Sequence, residues 1–149
     1  MIEVEVEDDA WTAALPEAAA VAERAAKAAL GAAEGGVVVL LTDDETVRDL
    51  NDRFRGKDRP TNVLSFPAPE NARPHLGDIV LAHGVCAAEA REQGKPFADH
   101  LSHLVIHGIL HLMGHDHEAD DEAEAMEAQE RMLLAALGIP DPYLSRNDT

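Results

Sequence analysis

Between Pro96 and Gly114 the chain carries one continuous helical pattern with histidines at His100, His103, His107 and His111. At about 100° per residue these four side chains project within roughly 40° of a common direction, so one helix face is lined with imidazoles. Residues four apart are neighbours on a helix, and His107 with His111 can offer two ring nitrogens to a single ion. Gly114 ends the helix and permits a sharp reversal, which swings His117 of the following HDH back toward the same place. The fold is therefore expected to hold a central helix with a metal site at its end.

Three neutral imidazoles leave the fourth position of a tetrahedral ion open, which is the catalytic rather than the structural arrangement. Imidazole suits Zn(II), and one zinc per chain is expected, with nickel and copper as other divalent metals the set can hold. A single histidine is better explained by packing, but three at ligand spacing across a glycine turn favour a metal site. His100 and His103 either orient a ligand or substrate or simply pack the helix. The spacing of His107, His111 and His117 is that of the zinc-peptidase pattern HExxHxxGxxH, yet Gly108 stands where that pattern needs its glutamate base. Gly108 is expected to leave room beside the ion for a bulky phosphate group.

The rest of the chain supplies a frame. Ile2, Val4 and Val6 alternate with Glu3, Glu5 and Glu7, the period of a strand with one buried face. Pro16 suits a helix start, the alanine-rich stretch to Leu30 favours helix, and Gly31 can end it. VVVLL at 37–41 reads as a central strand. TDDE from Thr42 to Glu45 matches a capping box for a helix with Val47, Leu50 and Phe54 at helical spacing. Strands follow at 62–66 and 78–82, with Asp78 starting the second after a turn. Helices span about 84 to Gln93, Pro96 to Gly114 and Glu118 to Leu137. The order βαβαββααα describes a single α+β domain over residues 1–149: a small mixed four-stranded sheet flanked by about five helices.

Charge narrows the partners. The net charge of -17 opposes nonspecific binding to nucleic acid or anionic membranes, so a polyanionic substrate must be captured locally. No window approaches the roughly 18 apolar residues needed to cross a bilayer, and the acidic start MIEVEVEDD does not read as a leader. Cys86 stands alone, which excludes an intramolecular disulfide framework and suits a small buried hydrophobe in the cytoplasm.

Against this acidic background four of the twelve basic residues fall within seven positions, as Arg53, Arg55, Lys57 and Arg59. A solvated loop accounts for them on composition alone, but near a metal they select a phosphate backbone, and arginine can grip phosphate through two parallel hydrogen bonds. Lys57, Arg59, Asn62 and Ser65 are candidate substrate contacts; Ser65 lacks any Ser-His-Asp context and is rejected as a nucleophile. Glu118, Asp120, Asp121, Glu122, Glu124, Glu127 and Glu130 read as a solvated helix face opposite Ala123, Met126, Leu133 and Leu137.

HGILHLMGHDH resembles the signature HGxLHLxGYDH of the YbeY family of metal-dependent endoribonucleases. RGKDRPTNVLSFP at 55–67, LGDIV at 76–80, EQGKPFADHLSH at 92–103, the acidic helix and DPY at 141–143 are similar to that family in the same order, over nearly the whole chain. The resemblance implies that His107, His111 and His117 are the zinc ligands and that Arg55 is the essential catalytic arginine. It also implies a small mixed sheet flanked by helices. His115 departs from the family's tyrosine, and His115 and Asp116 become candidates for proton transfer.

The function so implied is a cytoplasmic, zinc-dependent, single-strand-specific endoribonuclease. Its role would be rRNA maturation, at the small-subunit rRNA 3' end, and ribosome quality control, with recruitment by a small-subunit ribosomal protein and no action on DNA or membranes. Either a metal-activated water or the RNA 2'-hydroxyl can be the attacking group, and the sequence fits both. Two other readings compete: a zinc peptidase, favoured by ligand spacing and opposed by the missing glutamate, and a non-catalytic metal-binding ribosome assembly factor.

Overall fold

A computed structural model describes residues 1–33, 35–115 and 119–143 of the chain. Strands β1 (Ile2–Val6), β2 (Gly36–Thr42), β3 (Val63–Pro67) and β4 (His75–Ala82) form one sheet in the order β1-β2-β4-β3. The β1–β2 and β2–β4 pairs are parallel and β3 runs antiparallel to β4, so the sheet is mixed, as the sequence implies. Among the described residues the α-helices are α1 (Ala10–Ala14), α2 (Ala18–Leu30), α3 (Asp44–Arg55), α4 (His83–Gln93), α5 (Phe97–Leu112) and α6 (Asp120–Ala136). None of them is long and apolar enough to cross a membrane.

Strand alternation sorts the side chains into two cores. Val37, Val39 and Leu41 of β2 join Ile79 and Leu81 of β4 in the main core against α2 and α5, where Ile2, Val4 and Val6 also pack. Leu64, Val80 and Ala82 turn the other way and meet Val47 and Leu50 of α3. The sheet is therefore a middle layer. Its register places Val4, Val39, Ile79 and Ser65 in one row across all four strands, and α5 crosses the end of that row.

Helix α5 is buried at ten of its sixteen positions, so it is fixed on several sides at once. Leu101, Ile106, Ile109 and Leu110 are each at most 1% exposed, and burying such a side chain contributes about 1.5–3 kcal/mol. This anchoring holds the histidine face in place.

Four local readings of the sequence are corrected. The stretch after β1 holds two helices: α1 is five residues long, too short to show a period, and exists because Trp11 is wholly buried, donates from its indole to the Thr42 carbonyl at 2.8 Å and stacks on Phe97 at 5.4 Å. Asp43, not Thr42, caps α3, its carboxylate accepting from the Thr46 amide at 2.7 Å while Thr42 ends β2. Asp78 lies inside β4, which begins at His75, and pairs with that histidine at 3.0 Å. Phe54, expected in the apolar stripe of α3, is 67% exposed and meets Phe66 edge to face at 5.5 Å.

Candidate functional site

The imidazoles of α5 form a ladder whose ring centroids are 6.3 Å apart from His100 to His103, 6.3 Å from His103 to His107 and 4.7 Å from His107 to His111. At its C-terminal end the Nε2 atoms of His107 and His111 are 3.2 Å apart. Two nitrogens at about 2.0–2.1 Å from a tetrahedral zinc stand about 3.3 Å from each other, so this pair has the separation such an ion requires. Gly114, at φ 98°, ends the helix, and the amide of His115 donates to the Leu110 carbonyl at 3.0 Å, closing the turn. His115 is half-buried. His117 and Asp116, the expected third ligand and a candidate for proton transfer, lie outside the described residues.

The partner that sequence reasoning missed is Glu130. Read as part of a solvated face, it is instead 0% exposed, in line with buried Met126 and Leu134 on α6. Its carboxylate accepts from His107 Nδ1 at 2.5 Å, from His103 Nε2 at 3.0 Å and from the Tyr143 hydroxyl. Burial alone would raise its pKa; the hydrogen bonds from His103, His107 and Tyr143 outweigh that and hold it at about 2, so the group stays ionised. The signal was present in the sequence. Position 130 is four residues from Met126 and from Leu134, so an acid there interrupts the stripe that packs inward.

His100 and His103 each meet a carboxylate. His100 Nε2 lies 2.9 Å from Glu89 Oε1, and Glu89 also accepts from Asn62 Nδ2 at 3.1 Å. The His100 bond draws the Glu89 carboxyl below its ordinary range, burial opposes it, and the Asn62 bond adds to the lowering.

A groove of about 780 Å³ opens beside the paired imidazoles. His107 and His111 line it together with Arg55, Lys57, Asn62 and Ser65, so the end of α3 and the basic loop face the end of α5 across β3. Among the described residues neither Arg55 nor Lys57 is in an ion pair, whereas Arg53 pairs with Asp49 at 3.1 Å and Arg48 with Asp58 at 2.7 Å. Arg59 does not line the groove; its carbonyl accepts from Asn51 Nδ2 at 2.8 Å. The Ser65 hydroxyl donates to the Gly108 carbonyl at 3.1 Å, and Asn62 Oδ1 accepts from the Val63 amide at 2.7 Å. Both side chains thus shape the groove wall, with Asn62 engaged through both of its polar atoms. Cys86 is buried, and burial pushes its thiol well above the ordinary value, as suits a packing residue.

Gly108 does not leave room beside the imidazole pair. A Cβ there would sit 3.0 Å from Ile79 Cγ2, 3.3 Å from Ser65 Oγ and 3.3 Å from Val63 Cγ2. The glycine faces the sheet, where it lets α5 lie close on β3 and β4. A glutamate at this position would start toward the sheet and require these neighbours to give way.

Comparison with known proteins gives concordant results. The sequence profile of the family Endoribonuclease YbeY matches residues 2–138. Endoribonuclease YbeY of Paramagnetospirillum magneticum is 54% identical over 155 aligned residues, covering 95% of this chain and 94% of the relative. That of Azorhizobium caulinodans is 55% identical over 152, covering 95% of each. The solution structure of TM1509 from Thermotoga maritima superposes with a TM-score of 0.57 at 30% identity, covering 93% of this chain and 92% of that one.

Proposed function

The chain belongs to the Endoribonuclease YbeY family, and from that premise we propose that it is a zinc-dependent, single-strand-specific endoribonuclease. Its task is rRNA maturation at the small-subunit rRNA 3' end and ribosome quality control, carried out by a single domain in the cytoplasm. The observation that carries this reading is the groove in which Arg55 and Lys57 face the paired Nε2 atoms of His107 and His111. Cation and ligand pair converge on one place in a chain of net charge -17.

His107, His111 and His117 would hold the zinc. When bound, zinc supplies Lewis acidity to a phosphoryl oxygen or lowers the pKa of a water to about 7. Arg55 binds the scissile phosphate and neutralises the charge that grows on it during attack, a role a planar guanidinium fills through paired hydrogen bonds. Lys57 steers the strand, and Asn62 and Ser65 border it. His115 and Asp116 are the groups proposed to move the proton. Arg59, off the groove wall, can contribute only to the longer-range field.

Because the chain as a whole carries a net charge of -17, naked RNA binds weakly and with strong salt dependence. Recruitment by a small-subunit ribosomal protein then supplies the affinity that the groove lacks.

The test incubates zinc-loaded protein and Arg55→Ala with single-stranded RNA and with an all-DNA counterpart, then identifies the product ends. Expected are RNA cleavage, uncut DNA, and loss of cleavage in Arg55→Ala with zinc content retained. Cyclic 2',3'-phosphate ends identify the 2'-hydroxyl as the attacking group. Turnover of RNA unchanged in His111→Ala would sink the metal-dependent reading in favour of a non-catalytic metal site.

A further inference from the structure

We infer that Glu130 and Tyr143 are positioning residues of the metal site, setting the orientation and tautomer of His107 from the far end of the chain. The inference rests on the reading of His107 and His111 as metal ligands. An imidazole that ligates through Nε2 must carry its proton on Nδ1, and the group that accepts this proton's hydrogen bond fixes both tautomer and ring plane. Glu130 Oε1 lies 2.5 Å from His107 Nδ1. A carboxylate oxygen at that distance takes the hydrogen bond of the ring nitrogen, so with the hydrogen on Nδ1 the Nε2 lone pair points to the side where His111 Nε2 stands at 3.2 Å.

A carboxylate that is 0% exposed is stable there only while its oxygens are satisfied. His103 and Tyr143 supply the remaining donors, both to Oε2, which leaves Oε1 to His107. Tyr143 is delivered by a segment tied down at several points. Lys95 Nζ donates to the Pro142 carbonyl at 2.8 Å, Arg131 pairs with Asp141 at 3.0 Å, and the Arg131 guanidinium lies 5.2 Å from the Tyr143 ring centre. Neither Glu130 nor Tyr143 lines the groove, so their effect on the site runs through His107.

Titration of the full-length, metal-free chain with Co(II), read by its d–d absorption and by Zn(II) competition, tests this without an activity assay. The wild-type chain is expected to bind one Co(II), and Glu130→Gln to bind about 10- to 100-fold more weakly with a changed spectrum. Glutamine offers one acceptor oxygen and turns an NH2 toward donors, whereas Glu130→Asp keeps the charge and regains part of the loss. Tyr143→Phe, at a residue 40% exposed, weakens binding by less and carries the test even where Glu130→Gln does not fold. Wild-type Co(II) affinity and spectrum in a folded Glu130→Gln, or in Tyr143→Phe, overturn the proposal, as does a loss seen only together with loss of helical signal. A wild-type chain that binds no Co(II), or His111→Ala that binds it equally well, overturns the metal-site reading beneath it.

Discussion

Glu130 Oε1 and His107 Nδ1 lie 2.5 Å apart and join α6 to the histidine face of α5. Among the described residues, the only buried carboxylate thus sits on a strongly acidic helix. The seam between the two helices is polar at the candidate site and apolar on either side, where Met126 and Leu134 are buried.

Arg55→Ala is expected to lower RNA cleavage by about 10²- to 10³-fold, the usual loss when one stabilising donor is removed. Zinc content, measured by elemental analysis, should not change, because Arg55 stands across the groove from the imidazole pair. Lys57→Ala should mainly weaken binding, reducing the slope of log K against log salt by about 0.7 for one lost phosphate contact on a single strand. A Lys57→Ala slope equal to that of wild type would remove this residue from the strand path.

Gly108→Ala tests whether the glycine is a packing device. A methyl group placed 3.0 Å from Ile79 Cγ2 meets a β-branched side chain fixed in the sheet. Overpacking of about 1–3 kcal/mol then exceeds the gain of about 1 kcal/mol from helix propensity. Urea denaturation should show a net loss, and Gly108→Glu a larger one with no peptidase activity gained. A stable Gly108→Glu protein that hydrolyses peptides would contradict the closed contact.

Glu89 sets an acid limit on stability. Its folded pKa lies below the ordinary 4.5, so it binds fewer protons folded than unfolded when the solution is acidic. Its stabilisation is therefore present above pH 4.5 and is lost as the pH falls through the folded value. Glu89→Gln should be less stable at neutral pH and lose less between neutral and acid conditions. Thermal melts of both proteins from pH 7 downward check the sign, and parallel curves would refute it.

Trp11→Ala is expected to cost about 3–5 kcal/mol, the range for emptying a large aromatic site. Trp11→Phe keeps most of the apolar contact but leaves the Thr42 carbonyl without the indole donor, a loss of about 1–3 kcal/mol. Guanidinium unfolding followed by circular dichroism measures both. If the two variants were equally stable, the hydrogen bond and the ring stacking would have to be reassigned.

Local chemistry carried most of the element map. Strand alternation in β1, the apolar run of β2 and the glycines after α4 and α5 are short-range signals, and they give the elements within a few residues. The 107–111 spacing likewise turns two imidazoles to one side of a helix, since a helix repeats its directions whatever encloses it. Elements and facing pairs recorded within one segment were therefore legible.

What the tertiary structure decided are the relations between segments distant in sequence. Trp11 makes a helix because β2 and α5 surround it, and Glu130 is buried because α6 turns that position onto α5. Gly108 faces Ile79 and Ser65, not a substrate, because the helix is rotated so that its smallest residue meets the sheet. Arg55 faces His111 only because α3 and α5, on opposite sides of the sheet, both end at β3. A periodicity tells which residues share a face; only packing against specific neighbours tells which way that face looks. For a charged side chain that difference is the difference between a solvated surface and a buried hydrogen-bonded partner.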